Sequence, residues 1–436
     1  MIEFDVAARV LEGRWLSQGK GCIRGGSIDT RTLEPGQAFF ALPGEHVDGH
    51  DFVEQAAARG ASIAIVDRDI ALPTDLPVLL VASVRDALWT LSAHYRVSLP
   101  SRVVAVMGSN GKTTSVRMLH AVLSTAMRTQ ASARSFNNAL GLPLTILNTP
   151  MDAEALVCEL GEGEPGALAR YASLARPDLA IITSVGRAHV GELGGVSAVR
   201  REFEQALEIL PPHAKVFVPA TEPTLVRASV TTFAAPDARH EDGRVAFELP
   251  DGTRWRLPVA GTHNASNAAA VVAACRALGV SDAAIAEGLA AFEPAAMRLT
   301  VREFGGARVL VDCYNANPDS VAAALHTLKE LAQESPHAGI RTIAVIGDML
   351  ELGEDSAKWH LDAMRHALDV ADACVFIGPS FATVCDGSES AWFNSVDDAR
   401  SYVASLLDPG TLMLLKGSRG LALEGLLEGL GESAVA

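Results

Sequence analysis

The densest chemistry in the chain lies between Val103 and Leu123. There an uninterrupted apolar run, VVAVM, leads into Gly108-Ser109-Asn110-Gly111-Lys112-Thr113-Thr114 and then into an amphipathic stretch. Glycines let a backbone curl until its N–H groups point inward, and a helix start just beyond adds positive potential; together these suit a chain of phosphates. Lys112 would set a cation at the β- and γ-phosphates, and the Thr113 hydroxyl is placed to meet Mg²⁺. The generic phosphate loop has one more glycine, where this chain has Val106, so the motif is the shortened G-x-x-G-K-T-T form. Lysine is scarce, six residues against thirty arginines, which makes one inside a motif more informative. The loop predicts a nucleoside triphosphate and leaves its use open.

Further polar groups sit where other apolar runs end. Glu159 closes ALVCE, where a Mg²⁺ ligand would lie if that run pairs beside the loop's strand, and His189 follows DLAIITSV. Later in the chain Asp312 follows RVLV, Asp348 follows AVIG and Lys416 follows TLMLL. Each alone is an ordinary strand-end residue. As a set they predict a ligand-binding edge on a second sheet, facing the first across an active-site cleft.

Short apolar runs alternating with Ala/Leu-rich helical stretches must position these groups. ASIAIVD, RVVAVMG, ALVCEL, DLAIITSV, RVLVDCY, RTIAVIGD, ACVFIG and TLMLLKG read as strands buried on both faces. That pattern predicts an α/β protein with parallel sheets covered by helices. Three domains are expected, over 1–98, 99–300 and 301–436, with residues 211–258 an antiparallel excursion inside the second.

Of 436 residues 49% are hydrophobic and 20% charged, enough for large cores, and the net charge of −16 argues against nucleic acid or an anionic membrane as partner. No run approaches the ~18 apolar residues of a membrane span. The N-terminus lacks a signal peptide's basic start and apolar core. The six cysteines include no Cys-x-x-Cys pair and read as reduced thiols of a cytoplasmic protein.

Over nearly its whole length the chain resembles the Mur ligases, ATP-dependent amide ligases of peptidoglycan precursor synthesis. The likeness runs through SIDTRTLEPGQAFFALPGEHVDGHDF, GSNGKTT, SFNNALGLPLTIL, CELG, ITSVGRAH, GTHNASNAAA, VDCYNANPDS, VIGDMLELG and LLKGSRG. NANPDS and GDMLELG favour the branch that adds D-Ala-D-Ala to a UDP-linked muramyl tripeptide. The resemblance implies a central P-loop ATPase domain between an N-terminal UDP-binding domain and a C-terminal Rossmann-like, amine-binding domain. It implies that Lys112 holds the ATP phosphates, that Thr113 and Glu159 bind one Mg²⁺ and that His189 binds a second. Asn267 would contact the adenine, Arg298 the γ-phosphate and Asp312 the ribose. Ser27, Asp29 and Arg31 would meet the UDP end, and Asn137 and Asn138 the peptidyl substrate. Asn317, Asp348 and Lys416 would face the incoming dipeptide or the reacting groups. Hinges are expected near Leu99-Pro100 and Arg298, and the enzyme is expected to act as a monomer.

The pattern departs from the family in three places. A carbamylated lysine supports the second Mg²⁺ in most members, about fourteen residues after the histidine; Phe203 stands there, and Glu202 or Glu204 is expected to supply carboxylate oxygens instead. Arg134 and Ser135 replace a Thr-Asn pair, and Glu162-Gly163-Glu164 follows where Asn-His is usual. These departures keep two alternatives in view: a divergent ligase joining another amine to another carboxylate, and a catalytically silent relative.

Overall fold

The computed structural model describes residues 1–44, 47–71, 73, 75–133, 136–227, 229–241, 243–334, 339–385 and 391–433. All eight runs read as strands form strands. They are distributed over three main sheets, whose strands lie within residues 14–80, 102–233 and 300–433.

The central sheet has six strands, all parallel, in the spatial order Val230–Phe233, Lys215–Pro219, Leu179–Ile182, Arg102–Met107, Ala155–Glu159, Thr129–Ala131. Its apolar runs are continuous because both faces are covered. Val103, Ala105 and Met107 pack with the helices Ala167–Ala175 and Val196–Ile209, while Val104 and Val106 pack with Lys112–Ser124 and Asn264–Ala277. Burying a Val or Leu side chain contributes about 1.5–3 kcal/mol, so this double cover holds the strand tips firmly. The expected excursion over 211–258 is only partly antiparallel. Lys215–Pro219 and Val230–Phe233 join the parallel sheet, and the antiparallel part is the three-stranded sheet Ala238–Glu241, Arg244–Glu248, Arg254–Leu257. KVFVP is buried after its first residue, as a central parallel strand requires, whereas RWRL alternates exposed and buried.

The C-terminal sheet has five parallel strands, in the order Ala391–Phe393, Ala373–Ile377, Arg341–Gly347, Thr411–Lys416, Ala307–Asp312. Beyond them Thr300–Phe304 and Glu432–Ser433 add antiparallel edges. Register places Asp312 opposite Lys416, the last residues of their strands. The N-terminal sheet is parallel except for Arg14–Ser17. Among the described residues no helix is long and apolar enough to cross a membrane.

The candidate active site

The strand Arg102–Met107 runs into the loop, and the helix Lys112–Ser124 starts directly after it. Gly111 caps that helix at φ 84°, a left-handed conformation that glycine adopts without penalty. Ser109 Oγ accepts from the Gly186 N–H at 2.9 Å, and Ser184 Oγ accepts from the Asn110 N–H at 2.9 Å, which ties the loop to the neighbouring strand's exit. Thr114 lines the same cleft.

Two carboxylates meet this loop. Glu159, at the tip of the adjacent strand and 1% exposed, accepts from Thr113 Oγ1 at 2.9 Å and from Asn137 Nδ2 at 2.9 Å. Its described side-chain partners are neutral, so a buried anion lacks a countercharge among the described residues. A hydroxyl and a carboxylate oxygen side by side are the donor set a hard divalent cation takes, so the site fits Mg²⁺. Glu162, fully buried, holds Lys112: the ammonium donates to its two oxygens at 3.0 and 2.8 Å and to the Gly108 carbonyl. Sequence reasoning noted Glu162 only as a departure. Its pairing with Lys112 spans fifty residues and leaves no local signal.

His189 stands at φ 55°, left-handed for a residue with a side chain. Its Nδ1 lies 2.7 Å from Glu192 and 3.0 Å from Glu351, the latter on the C-terminal side of the cleft. The Glu351 hydrogen bond dominates and, with Glu162 and Glu192 nearby, outweighs burial; the imidazole pKa rises to about 8. The same seam carries a backbone bond from the Gly191 N–H to the Glu351 carbonyl at 2.9 Å. Arg187 adds a bond to Asp319 through its N–H at 2.8 Å and stacks its guanidinium 4.7 Å from the Trp359 ring.

The opposite wall comes from the C-terminal sheet. Asn317 caps the helix Pro318–Gln333 and also donates to Asn110 Oδ1 at 2.9 Å, joining it to the loop. Lys416, 1% exposed, lies 3.3 Å from Asp312 and also donates to the Asn315 carbonyl. Burial pushes its ammonium below the ordinary lysine range, and Asp312 pushes it back. Arg298 stacks on Tyr314 at 4.4 Å, flanked by Met297 and Leu299 at φ 59° and 51°. Asn267 and Asn138 complete the lining, and Asn138 Oδ1 also accepts from the Leu140 and Gly141 N–H groups.

Four expected residues stand outside this cleft. Asp348 is 2% exposed and caps a short helix, accepting from the Ser380 and Phe381 N–H groups, so its carboxylate turns into the C-terminal domain rather than into the cleft. Ser27 ends the N-terminal strand Gly26–Ser27, and Asp29 and Arg31 lie in the turn after it, where the Arg31 guanidinium grips Asp29 at 2.7 Å. Asn148 ties that edge to the central domain through both polar groups of Gly26. Phe203 is fully buried in the core. Glu202 turns inward too, one oxygen accepting from the Gly166 N–H at 2.7 Å and the other without a hydrogen-bond partner among the described residues; neither it nor Glu204 lines the cleft. The glutamates that do line the cleft with His189 are Glu159, Glu162, Glu164 and Glu192. Arg134 and Ser135 lie outside the described residues. All six cysteines are free thiols, and burial pushes those of Cys158 and Cys275 up to about 12.

Three family descriptions match the chain: Mur ligase family, catalytic domain, over residues 23–96; Mur ligase middle domain over 106–275; and Mur ligase, glutamate ligase domain, over 297–419. A UDP-N-acetylmuramoyl-tripeptide–D-alanyl-D-alanine ligase of Bacillus subtilis is 32% identical, covering 94% of each chain. The Escherichia coli protein of the same name is 31% identical over 93% of each. Among solved structures, MurF from Acinetobacter baumannii superposes with a TM-score of 0.84 at 31% identity, covering 97% of this chain and 96% of the other. MurF ligase from Thermotoga maritima in complex with ADP gives 0.80 at 26% identity, covering 93% and 96%.

Proposed function

The chain belongs to the Mur ligase family, and on that premise we infer that it is an ATP-dependent ligase joining D-Ala-D-Ala to a UDP-N-acetylmuramoyl-tripeptide in peptidoglycan precursor synthesis. One observation carries the reading furthest. The phosphate loop with Glu159 and His189 lines a single cleft with Asp312, Asn317 and Lys416, which supports nucleotide and amine meeting in one volume.

The reaction has two displacements. The peptide carboxylate attacks the γ-phosphorus of ATP, forming an acyl phosphate as ADP leaves. The amine then attacks the acyl carbon, losing a proton as phosphate departs. In the first step two anions approach each other, and Lys112 with the loop N–H groups offsets the growing charge. Thr113 and Glu159 would hold one Mg²⁺ and His189 a second, which supply further positive charge there. Asn267 would receive the adenine, Asp312 the ribose and Arg298 the γ-phosphate. Asn137 and Asn138 would face the peptidyl carboxylate, with Ser27, Asp29 and Arg31 at the uridine diphosphate. Asn317 and Lys416 would orient the amine from the other wall. Acyl phosphates hydrolyse, so the contacts of His189, Gly191 and Arg187 with the C-terminal domain serve chemistry by excluding water.

The enzyme is read as a cytoplasmic monomer. The deciding experiment is a coupled assay on the purified chain. ADP and phosphate should appear only when UDP-muramyl-tripeptide and D-Ala-D-Ala are both present. Steady nucleotide hydrolysis without the amine, or none with both, would overturn the reading.

A further inference from the structure

An ammonium group has three N–H bonds. Those of Lys112 are directed at the Gly108 carbonyl and the two oxygens of Glu162, so its hydrogen-bonding capacity is already used. Glu162 is fully buried, and its side chain reaches Lys112 of the phosphate-binding loop from residues 160–166, with glycines at 161 and 163 on either side. A nucleotide phosphate that takes Lys112 must therefore replace Glu162 and overcome the repulsion of its charge.

We propose that Glu162 is a positioning residue that reserves Lys112 and yields it to the arriving polyphosphate, so that nucleotide affinity is set by exchange of one anion for another. The carboxylate keeps the lysine at the loop and prevents a half-buried cation from standing unpaired. The flanking glycines give the loop freedom to carry the displaced carboxylate aside.

This inference rests on the loop being the nucleotide site, and the test separates the two. ADP and a non-hydrolysable ATP analogue are titrated calorimetrically into the full chain and into Glu162→Gln, with and without Mg²⁺. Glu162→Gln should bind at least about 5-fold tighter in both buffers, a coupling of ordinary size. The gain should vanish when both proteins carry Lys112→Met. Glu162→Ala should tighten binding likewise, and thermal melts check that each variant is folded. Unchanged or weaker binding by both folded Glu162 variants overturns the proposal; weakening only with Mg²⁺ assigns Glu162 to the metal and overturns it equally. If the unmodified chain binds no ADP, the nucleotide reading falls and this inference with it. If it binds ADP and neither variant gains, this inference alone falls.

Discussion

His189 and Glu351 join the central and C-terminal domains side chain to side chain, Nδ1 to carboxylate oxygen at 3.0 Å. The bond lowers the Glu351 carboxyl below its ordinary range as it raises the imidazole. The folded pKa of about 8 exceeds the unfolded ~6.5. The contact's contribution is therefore fully present below pH 6.5 and is lost as pH rises through about 8. NMR titration of the metal-free chain should find His189 half-protonated near pH 8. Glu351→Gln should move that midpoint toward 6.5, and an unmoved midpoint would assign the shift to other neighbours.

Removing the cation from a buried pair should cost fold stability as well as activity. Lys112→Ala leaves Glu162 charged and enclosed, and breaking such a pair costs on the order of 3–5 kcal/mol. Denaturant unfolding should show that loss. Lys112→Met with Glu162→Gln should recover most of it, because the double variant leaves no stranded charge.

Glu159→Gln preserves shape and removes the charge that suits Mg²⁺. Metal-dependent stabilisation of the phosphoryl transfer is worth several kcal/mol, so kcat should fall on the order of 10²–10³-fold. Titration of Mn²⁺ followed by electron paramagnetic resonance should show weakened metal binding in the ADP complex. Full retention of that binding would remove Glu159 from the metal set.

Lys416 fills a slot with 1% exposure between Asp312 and the Asn315 carbonyl. Lys416→Arg should not rescue what Lys416→Ala loses, since a planar fork does not fit where a compact ammonium sits. Both variants should lower kcat on the order of 10²-fold, comparable to loss of one well-placed charge-stabilising donor, with a smaller change in ADP affinity. Equal losses in the two quantities would place Lys416 with the nucleotide instead.

The strand tips were legible because parallel strands buried on both faces announce themselves as unbroken apolar runs, and the residue after each run must lie at the ligand edge. That logic led to Glu159, His189, Asp312 and Lys416, which the structure brings to one cleft. It misplaced Asp348 because a strand-end carboxylate can equally cap a helix starting beside it, and the two uses look alike in sequence. It misread Lys215–Pro219 and Val230–Phe233 because their neighbours carry the prolines and threonines of edge strands. Glu162 escaped notice because its meaning is a partner fifty positions away.

Gly191 sits on an ordinary helical backbone, yet its main chain presses against that of Gly353. A Cβ there would lie 2.8 Å from the Glu351 carbonyl oxygen and 2.9 Å from the Gly353 Cα. One methyl group would thus act as a wedge in the joint, prising the halves apart without touching any reacting atom. The tightness of that joint makes so small a change a means of holding the molecule ajar.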